Sequence, residues 1–191
     1  MLELLEFTVT SRCNARCKMC HIWQRSDPDI PLEKIKEVLG SRVIKGSLLN
    51  LVLTGGEPTL RGDLPEIFNY AFENLRKLKY TVFFTNSLVP RRAQETARRA
   101  AAYKKQSGRD DVSFTVSLSL DGIGKTHDTI RGIDGAFGRV TENFLGLKAV
   151  SGGHNFDVNF NFTVQRENIV DGGALAMLEA AEGAFLPVTF P

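Results

Sequence analysis

The chain has 191 residues, of which 42% are hydrophobic and 24% are charged, and its net charge is +2. These values are ordinary for a water-soluble globular domain with a substantial core, and so small a net charge favours neither nucleic acid nor an acidic membrane as a partner. No apolar run approaches the ~18 residues of a membrane span, and residues 1–6 lack the pattern of a signal peptide. We therefore expect a cytoplasmic protein with no membrane and no nucleic-acid partner.

The first predicted strand, residues 6–10, leads into a loop that holds all three cysteines of the chain, Cys13, Cys17 and Cys20. Three thiolates on one short loop suit a soft metal centre, most often an iron–sulfur cluster. Three cysteines leave one iron of a [4Fe–4S] cube without a protein ligand, and an open position is typical of catalytic metals. The alternatives are zinc, with the adjacent His21 as fourth ligand, and thiols without a metal role. Cysteines clustered in this way fit a reducing compartment.

A helix over residues 31–39 and a buried strand over residues 48–54 come next. The segment Thr54-Gly55-Gly56-Glu57-Pro58 then stands at the carboxyl end of this strand, where parallel α/β folds place their sites. The two glycines allow a close backbone approach to a ligand, and Glu57 offers an acceptor for an ammonium group. A plain strand-to-helix turn is the alternative interpretation of this segment.

The next helix is predicted to begin at Asp63, because Glu66 three residues later completes a capping-box pattern. A third strand follows over residues 80–85, and a third helix over residues 91–106. The third helix is rich in basic side chains, which indicate either a binding surface or a solvated helix face, and we interpret them as a solvated face. These side chains are Arg91, Arg92, Arg98, Arg99, Lys104 and Lys105.

The fourth and fifth predicted strands, residues 112–121 and 157–165, alternate apolar and polar residues, so each has one apolar and one polar face. An antiparallel sheet with one solvated side would show the same pattern. Helices follow both strands, however, and need the apolar faces. The polar faces should then line a wide, wet lumen that holds a ligand, whereas a closed eight-stranded barrel is filled with aliphatic side chains. An open barrel fits this pattern better.

A helix over residues 137–150, another over residues 171–182 and a sixth strand over residues 186–190 complete the predicted elements. Repeated strand–helix units predict parallel strands joined by right-handed crossovers. The predicted fold class is therefore α/β, with parallel strands in a partial (β/α)6 open TIM-like barrel. No linker divides the chain, so residues 1–191 are treated as one domain.

The spacing C-x-x-x-C-x-x-C after a short strand, together with G-G-E-P, resembles the signature of the radical S-adenosylmethionine (SAM) superfamily. In that family the cysteines hold a [4Fe–4S] cluster, and the amino and carboxylate groups of SAM chelate the fourth iron. Reductive cleavage of SAM then yields a 5′-deoxyadenosyl radical that takes a hydrogen atom from substrate. The resemblance, which runs from about residue 6 to residue 168, implies that Cys13, Cys17 and Cys20 bind the cluster. Met19 stands where an aromatic residue is common, and its thioether can pack similarly.

The resemblance also implies SAM or substrate contacts at the strand ends. The G-G-E-P segment corresponds to the one that binds the SAM amino group, and Thr85-Asn86-Ser87 stands where T-N-G is frequent. The run S-L-D-G followed by H-D-x-x-R-G resembles the branch of molybdenum-cofactor-type and peptide-modifying (SPASM-like) enzymes, in which the arginine reaches the SAM carboxylate. His127 of this run is given no catalytic role. The implied contacts are Gly55, Gly56, Glu57, Pro58, Thr85, Asn86, Ser117, Ser119, Asp121, Arg131, Asn161, Thr163 and Gln165.

The expected protein is a radical SAM core that acts on a peptide or a small cofactor precursor and takes electrons from a donor such as flavodoxin or ferredoxin. No side chain is assigned as a catalytic acid or base, because generation of the radical needs none. An iron–sulfur electron-transfer or binding module and a zinc-stabilised inactive barrel fragment are the alternatives. Related cores continue past the sixth strand, so we expect that a carboxyl-terminal part is missing.

Overall fold

The fold is an α/β fold built on a parallel sheet, seen in a computed structural model that describes residues 2–25, 27–151, 155–170 and 188–189. Five strands pair in the order of the sequence, and every pair is parallel. A short sixth strand, β6, pairs in parallel with the fifth. The predicted α/β class with parallel strands is confirmed. The strands are β1 (Leu4–Thr10), β2 (Asn50–Gly55), β3 (Tyr80–Thr85), β4 (Ser113–Ser119), β5 (Phe156–Thr163) and β6 (Val188–Thr189).

Helices follow the strands, and three short ones were not predicted from the sequence. Residues 42–47, 125–131 and 166–170 are helical, and each of these segments is too short to show a clear apolar period. The predicted helix over residues 171–182 lies outside the described residues, and the predicted sixth strand is described at Val188–Thr189. The helices are α1 (Leu32–Leu39), α2 (Arg42–Ser47), α3 (Leu64–Asn74), α4 (Pro90–Gln106), α5 (Lys125–Arg131), α6 (Ala136–Val150) and α7 (Arg166–Val170).

Asp63, the predicted cap of α3, binds an arginine instead of capping the helix. The helix begins directly after Asp63, as the sequence pattern indicates, but the Asp63 side chain makes no capping hydrogen bond. Its carboxylate instead accepts from the buried guanidinium of Arg61, at 2.7 and 2.8 Å. Arg61 also donates to the carbonyl oxygens of Val9 and Ile30, both at 2.8 Å. A hydrogen bond from a charged guanidinium is stronger than one from a neutral backbone N–H at a helix cap. Through Arg61, Asp63 helps to fix the segment after β2 against β1.

The main core lies between the sheet and the helices and is centred on aromatic side chains. The Phe114 ring centroid is 5.3 Å from that of Phe68 on α3, 6.2 Å from that of Phe83 on β3 and 5.0 Å from that of Phe156 on β5. Phe114 is fully buried, and burial alternates over the first four residues of β4, whereas its last four residues are all buried. Its ring therefore joins three strands to one helix.

Replacing Phe114 by alanine is expected to lower the free energy of unfolding by about 3–5 kcal/mol, since it removes a buried ring and leaves a cavity. Urea unfolding followed by circular dichroism measures this. Leu145 is 64% exposed on α6, so Leu145→Ala serves as the control and should stay within about 0.5 kcal/mol of the wild type. A loss below about 1 kcal/mol for Phe114→Ala would mean that the ring is not central to the core.

Parallel pairing places the carboxyl ends of all the strands at one edge of the sheet. The loops after β1, β2, β3, β4 and β5 therefore meet there, although they are far apart in the sequence. Each of these loops carries one of the motifs found in the sequence, from the cysteine loop after β1 to Gln165 after β5. The fold alone thus gathers the candidate site at this edge.

Candidate active site

A cavity of about 350 Å³ lies at the carboxyl edge of the sheet. The three cysteines line it together with the segment after β2, the end of β3 and Arg131. The polar faces of β4 and β5 reach it through Ser119, Asn161 and Thr163, as expected for a lumen. All the predicted site residues except Ser117, Asp121 and Gln165 border it. The bordering residues are Cys13, Cys17, Cys20, Gly55, Gly56, Glu57, Pro58, Thr85, Asn86, Ser119, Arg131, Asn161 and Thr163.

The cysteine loop is held on one side by the end of α5. The backbone N–H groups of Arg16 and Lys18 donate to the carbonyl oxygens of Arg131 and Ile130, at 2.9 and 3.0 Å. Gly132 ends the helix with φ 66°, and a Cβ there would lie 2.4 Å from the carbonyl oxygen of Arg16. A residue with a side chain would both strain the turn and push the loop away. Helix α5, which was not predicted, thus positions the cysteines.

The segment after β2 holds the other side of the loop. Gly56 N–H donates to Thr10 O at 2.8 Å, and Glu57 N–H donates to Arg12 O at 2.7 Å. A Cβ on Gly56 would lie 2.2 Å from Arg12 O, so no larger residue fits. The sequence suggested that these glycines approach a ligand, and the structure shows that Gly56 packs against the backbone that leads to Cys13.

N–H groups surround two of the three sulfur atoms. Cys13 Sγ accepts from the backbone N–H of Ala15 at 3.5 Å and from Asn86 Nδ2 at 3.8 Å, while Cys17 Sγ accepts from Arg131 Nη1 at 3.7 Å. Burial raises the pKa of both thiols, and the Arg131 guanidinium opposes that rise at Cys17. Such donors stabilise a thiolate, which is the form that binds a metal.

Glu57 is a buried junction between two strand ends. Its Oε1 accepts from Thr59 N at 3.2 Å, Thr59 Oγ1 at 2.5 Å and Thr85 Oγ1 at 2.9 Å, and its Oε2 accepts from Asn86 N at 2.6 Å. Burial raises the pKa of the carboxyl group, and these four donors act against the rise. The sequence suggested an acceptor for a ligand ammonium group but not this joining of β2 to β3. The Oε2 atom, with one such donor, retains capacity to accept from the cavity.

Asp121 lies behind the cavity and orients Arg131. It is fully buried, and its Oδ2 lies 2.6 Å from Arg131 Nη2 in an ion pair. Its Oδ1 accepts from Thr163 N at 3.0 Å. Asn168 Nδ2 donates to Asp121 O at 3.0 Å and to Thr163 O at 2.8 Å, which joins the ends of β4 and β5. The guanidinium of Arg131 thus stands between Asp121, Cys17 and the cavity.

Ser87, which follows Asn86 directly after β3, adopts the left-handed conformation with φ 62°. Its backbone N–H donates to Thr85 Oγ1 at 3.0 Å, and its hydroxyl accepts from Asn143 Nδ2 on α6 at 3.0 Å. These bonds offset a backbone strain that costs roughly 1–2 kcal/mol. The tight turn after β3 is therefore kept without glycine.

Ser117 and Gln165 lie away from this cavity. Ser117 borders a second cavity of about 460 Å³, with Thr115 and Asn159, farther from the carboxyl edge along the same polar faces. Gln165 caps the start of α7, where its backbone N–H donates to Asn168 Oδ1 at 2.9 Å. The polar faces of β4 and β5 thus line two spaces, and the cysteines border only one of them.

A comparison with protein families decides the assignment of the chain. The model of the Radical SAM superfamily matches residues 7–164, which is most of the chain. The chain belongs to the radical SAM superfamily. This membership confirms the resemblance carried by the cysteine loop and the G-G-E-P segment. The family implies a [4Fe–4S] cluster and SAM as cofactors.

Curated relatives within the radical SAM superfamily include two kinds of enzyme. The chain is 36% identical over 172 residues to a probable GTP 3',8-cyclase of Saccharolobus islandicus, covering 87% of this chain and 49% of the relative. It is 30% identical over 173 residues to the Fe-coproporphyrin III synthase of Methanosarcina barkeri, covering 86% of this chain and 38% of that relative. The chain thus spans about half the length, or less, of the curated relatives it matches.

Solved structures share the radical SAM core fold. The chain superposes on native anSMEcpe with bound AdoMet with a TM-score of 0.68 and 23% identity, over 98% of this chain and 51% of that one. It superposes on Streptococcus suis SuiB bound to the precursor peptide SuiA with a TM-score of 0.68 and 18% identity, over 99% of this chain and 39% of SuiB. At these identities the comparison establishes the fold.

The radical SAM site of this chain has the chemistry that the implied cofactors need. Three thiols and an arginine border one cavity, and N–H donors already point at two of the sulfurs. Within the described residues, no three His, Cys, Asp or Glu side chains converge closely enough to hold a single metal ion. A cluster that bonds each cysteine to a different iron does not need that convergence. The residues present therefore fit a [4Fe–4S] cluster.

The fully buried His127 on α5 is expected to make the stability of the folded chain depend on pH. Its Nδ1 accepts from the backbone N–H of Asp121 at 3.0 Å, and burial, with Arg131 nearby, lowers its pKa from 6.5 to about 4. The unfolded chain takes up this proton at a higher pH than the folded chain does. The free energy of unfolding should therefore fall by up to about 3 kcal/mol as the pH drops from 6.5 to 4.

Urea unfolding at several pH values between 6.5 and 4 measures this dependence. In His127→Asn an amide oxygen can replace Nδ1 as the acceptor, but no group titrates there. The stability of this variant should vary less with pH than that of the wild type. Equal slopes for the two proteins would show that His127 does not carry the effect.

No helix in the portion of the chain that the structure describes is long and apolar enough to cross a membrane.

Proposed function

We propose that this chain is the core of a radical SAM enzyme that binds a [4Fe–4S] cluster through Cys13, Cys17 and Cys20 and binds SAM beside it. The observation that carries the proposal is the single cavity bordered by these three cysteines together with Glu57 and Arg131. A sulfur-rich wall, a carboxylate and a guanidinium thus face one space, and these suit an iron–sulfur cluster and the ammonium and carboxylate groups of an amino acid.

Cys13, Cys17 and Cys20 would hold the cluster, and a reduced cluster with SAM beside it would supply one-electron cleavage of SAM and abstraction of a hydrogen atom from substrate. The role of the protein is to bind and orient SAM and the substrate. We assign the SAM carboxylate to Arg131, which Asp121 holds by an ion pair, and the SAM ammonium group to Glu57 with the backbone of Gly55 and Gly56. We assign ribose, adenine or substrate to residues of the remaining walls: Pro58, Thr85, Asn86, Ser119, Asn161 and Thr163.

Two similar proteins support a proposal for the substrate class. The relatives include a probable cyclase of GTP and, at the level of fold, a protein solved with a precursor peptide. We therefore propose a small cofactor precursor or a peptide as the substrate. We further propose that residues 1–191 form a single core with a partial (β/α)6 open barrel, working in the reducing cytoplasm with a protein electron donor. The parallel five-stranded sheet and the two cavities along its polar faces support an open barrel.

Anaerobic reconstitution with iron and sulfide, followed by SAM and dithionite, tests the proposal. The expected result is a brown protein with about four irons and four sulfides for each chain, which forms 5′-deoxyadenosine only when both SAM and reductant are present. A bound cluster that leaves SAM intact would support an iron–sulfur electron-transfer or binding module instead. Zinc without a cluster would support a zinc-stabilised inactive barrel fragment, and either outcome would overturn the proposal.

A further inference from the structure

We propose that a groove along α4 is the docking site for an acidic, low-potential, one-electron carrier protein that reduces the cluster. This inference rests on the proposed function, because a cluster at Cys13, Cys17 and Cys20 is what receives the electron. The carrier loses one electron and the cluster gains it, so the step is balanced. We call this surface the α4 groove; it is lined by Thr59, Leu60, Arg61, Gly62, Pro65, Arg91, Arg92, Gln94, Glu95, Thr96, Arg98 and Arg99.

The α4 groove is open and basic. Its volume is about 600 Å³, and it runs between α4 and the segment that follows the G-G-E-P motif. Arginine is well suited to a protein interface, because its guanidinium binds carboxylates in a bidentate way and is weakly hydrated. Opposite charges across an interface also speed the encounter of two proteins, which suits a brief electron-transfer complex.

The basic side chains of α4 are not equivalent, and two of those that border the groove have no ion pair within the described residues. Lys105 is also exposed, but it lies at the far end of the helix and does not border the groove. Arg98 pairs with Glu95, Arg99 pairs with Glu66, and Lys104 is buried at the far end of the helix. Arg91 and Arg92 are exposed and have no ion pair within the described residues. The solvated helix face expected from the sequence thus holds, at its first turn, two uncompensated charges that border a concavity.

A chain of hydrogen bonds connects the α4 groove with a cluster ligand. Thr59 borders the groove, and its hydroxyl donates to Glu57 Oε1 at 2.5 Å. Glu57 Oε2 accepts from Asn86 N at 2.6 Å, and the Asn86 side chain donates to Cys13 Sγ at 3.8 Å. The path from the groove to Cys13 therefore runs through three residues, Thr59, Glu57 and Asn86. Electron transfer is fastest over short, bonded paths, so a carrier seated here would be well placed.

The same geometry argues against substrate in the α4 groove. The groove and the 350 Å³ cavity have no lining residue in common, since Thr59 faces one and Pro58 the other. A substrate atom in the groove could not reach the cavity, but an electron can cross the Glu57 junction. Nucleic acid is less suited, because the net charge of the chain is only +2 and Glu95 lies in the groove.

Reversing the two free charges tests the inference. The variant Arg91→Glu/Arg92→Glu is compared with Arg76→Glu/Lys77→Glu, which makes the same change in net charge at exposed positions just beyond the other end of α3. Calorimetry measures the binding of oxidised flavodoxin and of oxidised ferredoxin to each reconstituted protein. Stopped-flow spectroscopy measures the rate of cluster reduction by the reduced carriers and by dithionite.

The groove variant should bind the preferred carrier at least about tenfold more weakly and be reduced by it correspondingly more slowly, while its reduction by dithionite stays unchanged. The control variant should match the wild type, and added salt should weaken wild-type binding. Equal losses in both variants, no binding of either carrier by the wild type, or displacement of the carrier by single-stranded DNA would overturn the inference. Absence of 5′-deoxyadenosine with dithionite would instead overturn the proposed function, so the two failures are distinguishable.

Discussion

Replacing Cys17 by alanine is expected to remove the cluster and to abolish cleavage of SAM. Cys17 is the buried member of the three cysteines, and its sulfur accepts a hydrogen bond from the Arg131 guanidinium. Two thiolates hold a cluster far more weakly than three, so iron content should fall to the background level and 5′-deoxyadenosine should become undetectable. Iron and sulfide analysis, the absorbance near 400 nm and chromatography of the nucleoside measure the three quantities separately.

The variant Cys17→Ser is the matched control for packing. Serine keeps almost the size of cysteine but is a poor ligand for iron, so it should lose the cluster as alanine does. Urea unfolding of both cluster-free variants and the cluster-free wild type shows whether the fold is kept. A Cys17→Ala protein with wild-type iron content and turnover would refute the assignment of Cys17 as a ligand.

Replacing Glu57 by alanine is expected to destabilise the cluster-free chain by about 3–5 kcal/mol. The carboxylate satisfies four buried donors, and an unsatisfied buried donor costs about 1–3 kcal/mol. The loss should also loosen Asn86 and hence the wall of the cavity beside Cys13. Urea unfolding measures the stability, and calorimetry with SAM on reconstituted protein measures the consequence for binding.

Two further variants separate structure from ligand contact at this position. Glu57→Gln keeps one acceptor oxygen, so it should lose about half as much stability as alanine does. Glu73 is exposed on α3, and Glu73→Ala should stay within about 0.5 kcal/mol of the wild type. A Glu57→Ala chain as stable as the wild type but unable to bind SAM would show that this carboxylate acts on the ligand alone and not as a junction.

The sequence located most of the residues around the cavity, but it did not show which distant groups of the chain they contact. The glycines of G-G-E-P predicted a close backbone approach to a ligand, and Gly56 also lies close to Arg12 of the chain itself. Asp63 was correctly placed at the start of α3, yet its carboxylate binds Arg61. In both cases the residue type indicates a local property, such as small size or a negative charge. It does not indicate which distant group of the chain will lie against that residue.

Helix α5 was missed because seven residues that include a lysine, a histidine, an aspartate and an arginine show no apolar period. Gly132, directly after this helix, was the signal in the sequence that could have indicated its end, since glycine is frequent directly after a helix. This element matters more than its length suggests. Its carbonyl oxygens hold the cysteine loop, and it carries both His127 and Arg131.

The sequence by itself determined the superfamily, the parallel α/β class and the three candidate ligands, because spacing along a loop and alternation along a strand are local properties that the residues carry with them. Only the tertiary structure decided that Glu57 joins β2 to β3 and that Arg131 stands between Asp121 and Cys17. Arg131 and Cys17 are 114 positions apart, and contacts of that kind depend on the register of strands and the docking of α5. They arise from how the whole chain packs, which no single stretch of it specifies.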